Sequence, residues 1–479
     1  MTDRTEPLVD RPPGAVLFHR GPHPVTAEAF LHDVRALAAA LPDAGWVVNL
    51  CRDRYAFAVA FVAAVLRGQV SLLTGDHAPQ SLAGLAKRFP GAYAALDEAT
   101  EVPLPTFVVG PLNEAAHGHG SGLVVPLTPP SATIPRAITR GALGIYAPSR
   151  GERALIPCSR LVAIVFTSGS TGTPVAHRKL WGALADRSRA AGEQFGLNEA
   201  APSTVVGTVP PHHMYGFELT VLLPLHAAAS SWCGPAFFPG DVHAALLATD
   251  APRVLVTTPL QIRALLHADG GLPPLAAAIS ATAPLEPALA AVAEARWHAP
   301  MLEIFGATEV GSIASRRTLD GDAWTVYPGV AITQGEDVAV VAAPHAEPQA
   351  LADRIEMLDG LHFRLLVRRT DLVKLGGRRA SLSGLNRILN GLDGVADGTF
   401  VVPDDLEQRS TARLLAVVVA PRRTPGSILA ELRGQVDPLF LPRRVICVDR
   451  LPRNELGKLP RQALLALVAE YDPSYNTVA

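Results

Sequence analysis

Hydrophobic and polar residues follow two periods along the chain, one typical of helices and one of buried strands. Apolar residues recur at helical spacing over 27–41, which predicts an amphipathic helix. Short apolar runs at 46–50 and 70–73 predict buried strands, and the longer run 55–66 between them predicts a buried helix. That run is too short to cross a bilayer. The strand–helix–strand order indicates a parallel sheet covered by helices.

The same pattern returns further along the chain. A helix is expected to begin near Trp181, whereas the stretch 102–157, rich in Pro, Gly and Ser, predicts loops and irregular β structure. These features extend the layered arrangement through most of the chain. Further short buried strands are predicted at 161–166, 203–209, 253–258 and 275–280.

A change near 361–371 separates two predicted domains. This stretch is dense in charged residues, and beyond it apolar runs at 414–420 and 445–448 occur among helical segments. A unit of roughly a hundred residues is a common domain size. We therefore predict an α/β fold with a large N-terminal domain of layered parallel sheets and helices (1–368) and a small, mobile C-terminal α+β domain (369–479).

Composition narrows the class of protein. Of 479 residues, 48% are hydrophobic and 18% charged, which is typical of a globular protein and argues against disorder. The formal net charge of −2 gives no strong attraction to nucleic acid or anionic lipid. Four cysteines without a CxxC pair indicate reduced thiols rather than a zinc site or disulfides. The N-terminus lacks an apolar run of signal-peptide type, so we expect a soluble, cytoplasmic protein without a membrane span.

A loop rich in glycine and hydroxyl residues, FTSGSTGTP (166–174), follows the strand predicted at 161–166. Gly169 and Gly172 allow the backbone to turn its N–H groups inward, and the neighbouring hydroxyls add donors that suit phosphate oxygens. The loop is neither a Walker loop nor a nucleophile elbow, because both spacings fail. Taken alone, it is equally well explained as a flexible surface turn.

Six further segments favour a phosphate-binding loop over a surface turn. Together with the loop, they resemble the signatures of the adenylate-forming superfamily and occur in the family's order. This superfamily includes acyl- and aryl-CoA ligases, adenylation domains and luciferases. Each motif alone is weak, and the ordered set is specific. The six segments are PPHHMYG (210–216), SATAPL (280–285), IFGATE (304–309), ADRIEMLDG (352–360), RRTDLVKLGGRR (368–379) and LPRNELGKLPRQAL (451–464).

The resemblance implies an ATP- and Mg²⁺-dependent reaction and assigns catalytic roles. A carboxylate must attack a polyanionic triphosphate, so the reacting phosphate needs cationic support, which Lys458 would supply. Glu309 would hold Mg²⁺, which prefers carboxylate oxygen, and Thr308 would contact the phosphates. His213 would line the acyl pocket and the thiol channel, with His212 as a spectator. A surface lysine and a structural histidine are the ordinary alternatives.

The resemblance also assigns residues that bind the nucleotide. Phe305 would stack on adenine where the family usually has tyrosine, and Asp353 would accept bonds from the ribose with help from Arg369. Core packing of Phe305 and Ala283, and a charged linker at Arg369, are the ordinary alternatives. Asp371 would be the hinge of the small domain. The remaining nucleotide-binding residues would be Thr167, Ser168, Gly169, Ser170, Thr171, Gly172, Ala281, Thr282, Ala283, Gly306 and Lys374.

One position departs from the family pattern. The family loop usually ends in proline-lysine, whereas Pro174 is followed here by Val175. We expect Lys179 to supply the missing charge to the β- and γ-phosphates as a flexible point charge. The chain is also shorter than many family members, so the shape of the acyl pocket does not transfer.

The resemblance implies a two-step reaction. A carboxylic acid and ATP would give an acyl-adenylate, and rotation about Asp371 would then admit a pantetheine thiol of coenzyme A or an acyl carrier protein. The segments FTSGSTGTPVAHRKLWGAL and NLCRDRYAFAVAF resemble a bacterial subgroup of aryl polyene and xanthomonadin pigment pathways, which implies an aryl acid such as 3-hydroxybenzoate. A fatty acyl-CoA ligase, a ligase with a non-thiol acceptor and a non-catalytic AMP-binding regulator remain alternatives.

Overall fold

Two compact units make up the chain in a computed structural model that describes residues 3–109, 154–167, 175–268, 270–335, 338–366, 372–375, 378–403, 413–454 and 457–472. The first unit comprises Met1–Thr333 and Val340–Ala350, and the second comprises Gln334–Ala339 and Leu351–Ala479. The expected α/β fold with a large N-terminal and a smaller C-terminal part is confirmed. The predicted boundary between residues 368 and 369 lies outside the described residues and stays a prediction.

The first unit alternates strands and helices from its start. Its elements up to the middle are β1 (Thr5–Pro7), β2 (Val16–Arg20), β3 (His23–Thr26), α1 (Ala27–Ala40), β4 (Trp46–Asn49), α2 (Arg54–Arg67), β5 (Val70–Leu73), α3 (Pro79–Arg88), β6 (Tyr93–Leu96), β7 (Thr106–Val108), β8 (Leu155–Pro157), β9 (Leu161–Thr167), β10 (Val175–Leu180) and α4 (Trp181–Gln194). Then follow β11 (Ser203–Gly207), α5 (Met214–Gly216), a π-helix (Phe217–Leu222), α6 (Leu223–His226), β12 (Ala229–Trp232), α7 (Pro239–Leu247), β13 (Arg253–Thr257), α8 (Pro259–His267), β14 (Ala277–Ser280), α9 (Pro287–Trp297), β15 (Met301–Ala307), β16 (Gly311–Arg317), a 3₁₀ turn (Thr318–Asp320) and β17 (Ala323–Val326).

Three short strands lie in the part of the sequence where the chain passes between the two units. The second unit is a small α+β structure. The strands at the division are β18 (Ala331–Gln334), β19 (Ala339–Ala342) and β20 (Gln349–Ala350). The second unit continues with β21 (Ile355–Met357), β22 (His362–Leu365), β23 (Leu372–Leu375), β24 (Arg378–Ser381), α10 (Leu382–Asn390), β25 (Asp397–Val401), β26 (Leu415–Val419), α11 (Pro425–Leu432), a 3₁₀ turn (Pro438–Phe440), β27 (Arg444–Cys447) and α12 (Arg461–Tyr471).

Two sheets organise the first unit. One has the order β10-β9-β5-β4-β6-β7, in which β10 is antiparallel to β9 and the other neighbours are parallel. The other runs in the order β17-β16-β15-β14-β13-β11-β12-β2-β3 and is parallel from β15 to β2. Helices join successive parallel strands, as the sequence pattern predicts.

Helix α2 forms the centre of the first unit's core. Asp53 caps it by accepting a hydrogen bond from Ala56 N at 2.7 Å, and Gly68 ends it in the left-handed conformation, with φ of 73°. Its residues pack in one hydrophobic cluster with α1, with the six-stranded sheet and with the π-helix. The predicted buried helix over 55–66 is therefore confirmed.

The second unit has a core on each face of a three-stranded sheet, β25-β26-β27. In β26, Ala416 and Val418 pack in a cluster with α10 and α11, whereas Leu415 and Val417 pack in another with α12. Alternate residues of a strand point to opposite faces, so β26 is apolar on both sides. Among the described residues, no helix is long and apolar enough to cross a membrane.

Candidate active site

Several predicted site segments meet at one edge of the large sheet. Strands β11, β13, β14 and β15 are parallel neighbours, so their carboxyl ends lie side by side. The segments 208–216, 281–285 and 308–311 follow β11, β14 and β15 at these ends. In open α/β sheets, ligands bind at this edge. The first unit therefore brings together three segments that lie far apart in the sequence.

A tight hairpin between β15 and β16 carries Thr308 and Glu309 at its tip. A Cβ atom on Gly306 would lie 2.7 Å from the carbonyl oxygen of Gly311, and Gly311 itself has φ of 101°, so both positions require glycine. The side chain of Glu309 is 42% exposed, and Nε2 of His177 lies 3.8 Å from its Oε1. The hairpin thus presents a carboxylate at the carboxyl edge of the sheet.

Lys179, in strand β10, lies close to Glu309. Its side chain is buried, with the residue only 3% exposed, and its Nζ donates to the main-chain oxygen of Glu309 at 2.8 Å. Burial lowers the pKa of Lys179 to about 8, although the carboxylates of Glu218 and Glu309 oppose this shift. The expectation of a flexible point charge is wrong, because burial and this bond fix the ammonium group. A contact between Lys179 and the phosphates stays a prediction.

Glu218, in the π-helix, fixes the other end of the hairpin. Its Oε2 accepts a hydrogen bond from Ser312 Oγ at 2.5 Å, and its Oε1 accepts from Ser312 N at 3.4 Å. Arg187 donates to the carbonyl oxygens of Ser312 at 3.3 Å and Pro328 at 3.0 Å. Burial raises the pKa of Glu218, although the bond from Ser312 and the nearby Lys179 and Arg187 lower it.

The residues predicted to contact adenine lie in the turn after β14 and near the end of β15. Thr282 has φ of 78°, a conformation that is uncommon for residues other than glycine and that concentrates at ligand sites. Ala281 before it is buried, and Ala283 after it is exposed. The ring of Phe305 is half-buried, with Trp324 at 5.8 Å between ring centroids and an interplanar angle of 59°. The turn follows β14, and Phe305 lies in the neighbouring strand β15.

Three histidine rings form a row near the end of β11. The ring of His212 lies between those of His77 and His213, with 4.7 Å between centroids on each side. The ring of His213 covers Gly75, where a Cβ atom would lie 2.2 Å from its Cε1. The hydroxyl of Tyr215 donates to the carbonyl oxygens at the ends of β13 and β14, at 3.2 and 2.8 Å, which anchors the segment.

The predicted catalytic lysine belongs to the second unit. Lys458 is exposed and precedes α12, and its main-chain N donates to Asn454 Oδ1 at 2.9 Å. Arg453 forms a bidentate pair with Asp397, at 2.6 and 2.7 Å, and donates to the carbonyl oxygen of Gly457 at 2.8 Å. The backbone that carries Lys458 is therefore anchored to β25, and the residue itself is exposed.

The remaining predicted site residues are described only in part. Asp353 is half-buried just before β21 in the second unit. The backbone of Thr167 pairs with Val175, and that of Lys374 pairs with Arg379. Ser168, Gly169, Ser170, Thr171, Gly172, Arg369 and Asp371 lie outside the described residues, so their roles stay predictions.

A comparison with known protein families identifies the family to which the chain belongs. The sequence profile of a family described as AMP-binding enzyme matches residues 8–353, which is more than half of the chain. The chain belongs to the AMP-binding enzyme family. Enzymes of this family use ATP and Mg²⁺, and its acid–CoA ligases use coenzyme A as the acceptor. The predicted superfamily is confirmed.

Similar AMP-binding enzymes include two curated ligases and one solved structure. The 4-coumarate–CoA ligase of Rhodobacter capsulatus is 30% identical over 282 residues, covering 57% of this chain and 67% of the relative. The 4-coumarate–CoA ligase of Halorhodospira halophila is 30% identical over 308 residues, covering 61% and 73%. ATP-bound MatB from Rhodopseudomonas palustris has a TM-score of 0.74 at 20% identity, covering 98% of both chains, which shows the shared fold.

The site residues of this AMP-binding enzyme fit a magnesium nucleotide. Glu309 offers an exposed carboxylate on a fixed hairpin, the oxygen ligand that Mg²⁺ accepts along with water and substrate phosphates. Phe305 offers part of an aromatic face beside the Thr282 turn. These observations fit the groups that the family uses, and they involve the first unit alone.

Sequence reasoning missed three residues that shape the site. Glu218 belongs to none of the motifs, although a carboxylate two residues beyond the PPHHMYG segment is unusual in an otherwise apolar run, FELTVLLPL. Gly75 and His77 were missed because no motif surrounds them, and only the fold brings them to His213. His212, predicted to be a spectator, lies at the centre of the histidine row.

Proposed function

We propose that this AMP-binding enzyme activates a carboxylic acid with ATP and Mg²⁺ and then transfers the acyl group to a pantetheine thiol. The observation that supports the proposal most directly is the hairpin that holds Thr308 and Glu309 at the carboxyl edge of the large sheet. This hairpin lies within the part of the chain that matches the family. Both 4-coumarate–CoA ligases belong to the same reaction class.

Each residue has a distinct role in the proposed reaction. Glu309 would hold Mg²⁺, which neutralises phosphate charge and orients the triphosphate. Thr308 would donate to a phosphate oxygen, and Phe305 would stack on the adenine. Lys458 would stabilise the negative charge that develops on the α-phosphate while the carboxylate attacks and pyrophosphate leaves. Asp353 and Arg369 would hold the ribose.

For the substrate we propose an aryl acid, such as a hydroxybenzoate. Support comes from the names of the two relatives, since 4-coumarate is an aryl acid, and from the resemblance to the pigment-pathway subgroup. The acceptor would be coenzyme A or the phosphopantetheine of an acyl carrier protein. His213 would line the acyl pocket, and rotation about Asp371 would move Lys458 away before the thiol attacks.

Replacement of Lys458 by alanine tests the adenylation step. We expect ATP–pyrophosphate exchange in the presence of a panel of benzoates, cinnamates and fatty acids, and the exchange rate with the best acid should fall at least about a hundredfold in Lys458→Ala. The reason is that the transition-state charge loses its cation while the exposed position leaves folding intact.

Lys87, exposed on α3, provides the control, and Lys87→Ala should exchange at the wild-type rate. Exchange that survives in Lys458→Ala would remove this lysine from its role. The preferred acid distinguishes an aryl-acid ligase from a fatty acyl-CoA ligase, and the mass of the product formed with coenzyme A, carrier protein or an amine identifies the acceptor.

A second candidate is a regulator that binds AMP without turnover. Val175 favours it, because an exposed valine stands where the family usually has the loop lysine. Such a protein would bind AMP but release no pyrophosphate with any acid. Pyrophosphate release with one acid of the panel excludes this candidate.

A further inference from the structure

The buried ammonium group of Lys179, on strand β10, contacts the backbone of the β15–β16 hairpin. In β10, Val175, His177 and Lys179 share one face because alternate residues of a strand point to the same side. Exposure falls along this face, from 48% at Val175 to 3% at Lys179. The Nζ atom of Lys179 donates to the main-chain oxygen of Glu309 at 2.8 Å. The cation therefore acts on the backbone of the residue whose carboxylate faces solvent.

Glu218 holds the same hairpin from the π-helix. It bonds to both the hydroxyl and the main-chain N–H of Ser312, and its Oε1 lies where a Cβ atom on Gly311 would come within 2.4 Å. Extra residues inserted into helices as π-helical turns are frequent at functional sites. Hydrogen bonds thus hold the hairpin backbone at two residues, at Glu309 through Lys179 and at Ser312 through Glu218.

Stability alone does not explain charges at these positions. Residues Lys179, Arg187 and Glu218 are all buried, so two cations accompany one anion. A buried charge set is often no more stable than apolar side chains of similar size. Two of these charges bond to the hairpin, since Lys179 donates to the main-chain oxygen of Glu309 and Glu218 accepts from Ser312.

We propose that Lys179 and Glu218 are positioning residues that fix the hairpin so that the Glu309 carboxylate is held ready for the magnesium ion of MgATP. This inference rests on the proposed function and differs from a direct contact between Lys179 and the phosphates. A direct contact acts on the nucleotide with or without the metal, whereas positioning of Glu309 acts only when Mg²⁺ is present. The metal dependence of nucleotide binding separates the two.

The experiment measures binding of α,β-methylene-ATP by calorimetry, once with excess Mg²⁺ and once with EDTA, in wild type, Lys179→Met and Glu218→Gln. We expect the dissociation constant with Mg²⁺ to rise about tenfold in each variant, the size expected for loss of one charge-assisted hydrogen bond, and to stay unchanged with EDTA. The exposed Lys87→Met is the matched control and should bind like wild type.

Ser312→Ala removes only the hydroxyl bond to Glu218, so it serves if the charge variants fail to fold, and its affinity should weaken in the same metal-dependent way. Equal weakening with Mg²⁺ and with EDTA would establish direct phosphate contact and overturn the inference. Unchanged dissociation constants in folded variants would also overturn it, while acid-dependent exchange by the wild type would leave the proposed function intact. A wild type that binds no nucleotide would overturn the proposed function first.

Discussion

At the scale of single residues, burial changes the pKa values of side chains near the candidate site. Lys179 keeps an ammonium group beneath the Glu309 backbone, where desolvation lowers its pKa to about 8. His177, between Val175 and Lys179 in β10, also has a lowered pKa because of burial, with Lys179 adding to the effect and Glu309 opposing it. Val175 at the start of the strand is exposed. On the face of β10 that carries Val175, His177 and Lys179, positive charge is thus placed at the buried end.

The lowered pKa of Lys179 predicts a specific pH dependence of stability. The unfolded chain keeps this proton up to about pH 10.4, whereas the folded protein releases it near pH 8, so the free energy of unfolding rises with pH between these values. Below pH 8 both states are protonated and the full cost of burying the charge is present. The gain across the window is about 3 kcal/mol.

Urea unfolding of wild type and Lys179→Met at pH 7.5 and pH 10 measures this gain. The unfolding free energy of the wild type should rise relative to that of Lys179→Met by about 2 kcal/mol between these two pH values, because only the wild type carries the titrating group. A difference that is independent of pH would contradict the assignment. The exposed Lys87→Met should show no change relative to wild type.

Among the elements, the strands were the most predictable parts from sequence. The predicted strand at 70–73 coincides with β5, and that at 161–166 differs from β9 by one residue, because short apolar runs bounded by loop residues specify buried strands directly. Helix α2 was equally clear, since it is apolar on all sides. These elements owe their positions to local composition.

Features that depend on tertiary contacts were not predictable. The π-helix over Phe217–Leu222 has no periodic signal, and its Glu218 is explained only by Ser312 and Gly311, which lie far along the chain. The burial of Lys179 follows from the hairpin that covers it rather than from the sequence VAHRKL, which alternates like an exposed edge strand. Sequence motifs named most residues of the candidate site, whose roles stay predictions, and only the fold showed how the hairpin is held.

The β15–β16 hairpin predicts a strict requirement for glycine at position 311. Gly311→Ala would place Cβ 2.4 Å from Glu218 Oε1 at a φ of 101°, so both crowding and backbone strain oppose it. We expect a loss of about 1–3 kcal/mol in unfolding free energy, measured by urea unfolding. Gly240→Ala, where a Cβ atom meets nothing within 4 Å, should change it by less than about 0.5 kcal/mol. Equal stability of the two variants would refute the requirement.

On the scale of the whole molecule, the two units have separate hydrophobic cores. The clusters around α2 and around α7 to α9 belong to the first unit, and the clusters on the two faces of β26 belong to the second. Each unit therefore has its own source of stability. A core substitution in one unit should be felt mainly in that unit.

Leu389→Ala tests this separation, because Leu389 is fully buried in the α10 cluster. It should cost about 2–5 kcal/mol, and hydrogen exchange monitored by mass spectrometry should show faster exchange in β25 and β26 with α2 unchanged. Val292→Ala, at an exposed position on α9, should leave exchange in both units unchanged. Uniform loss of protection in both units would show that they unfold together.

The close approach of Glu218 to Gly311 has an evolutionary consequence. A side chain at position 311 meets both the carboxylate of Glu218 and a strained backbone, so shortening residue 218 removes the first of these two obstacles and leaves the second. A substitution at position 311 should therefore cost less stability after residue 218 has shortened than before. Among descendants of a common ancestor, changes at position 311 should be rare and should follow changes at position 218.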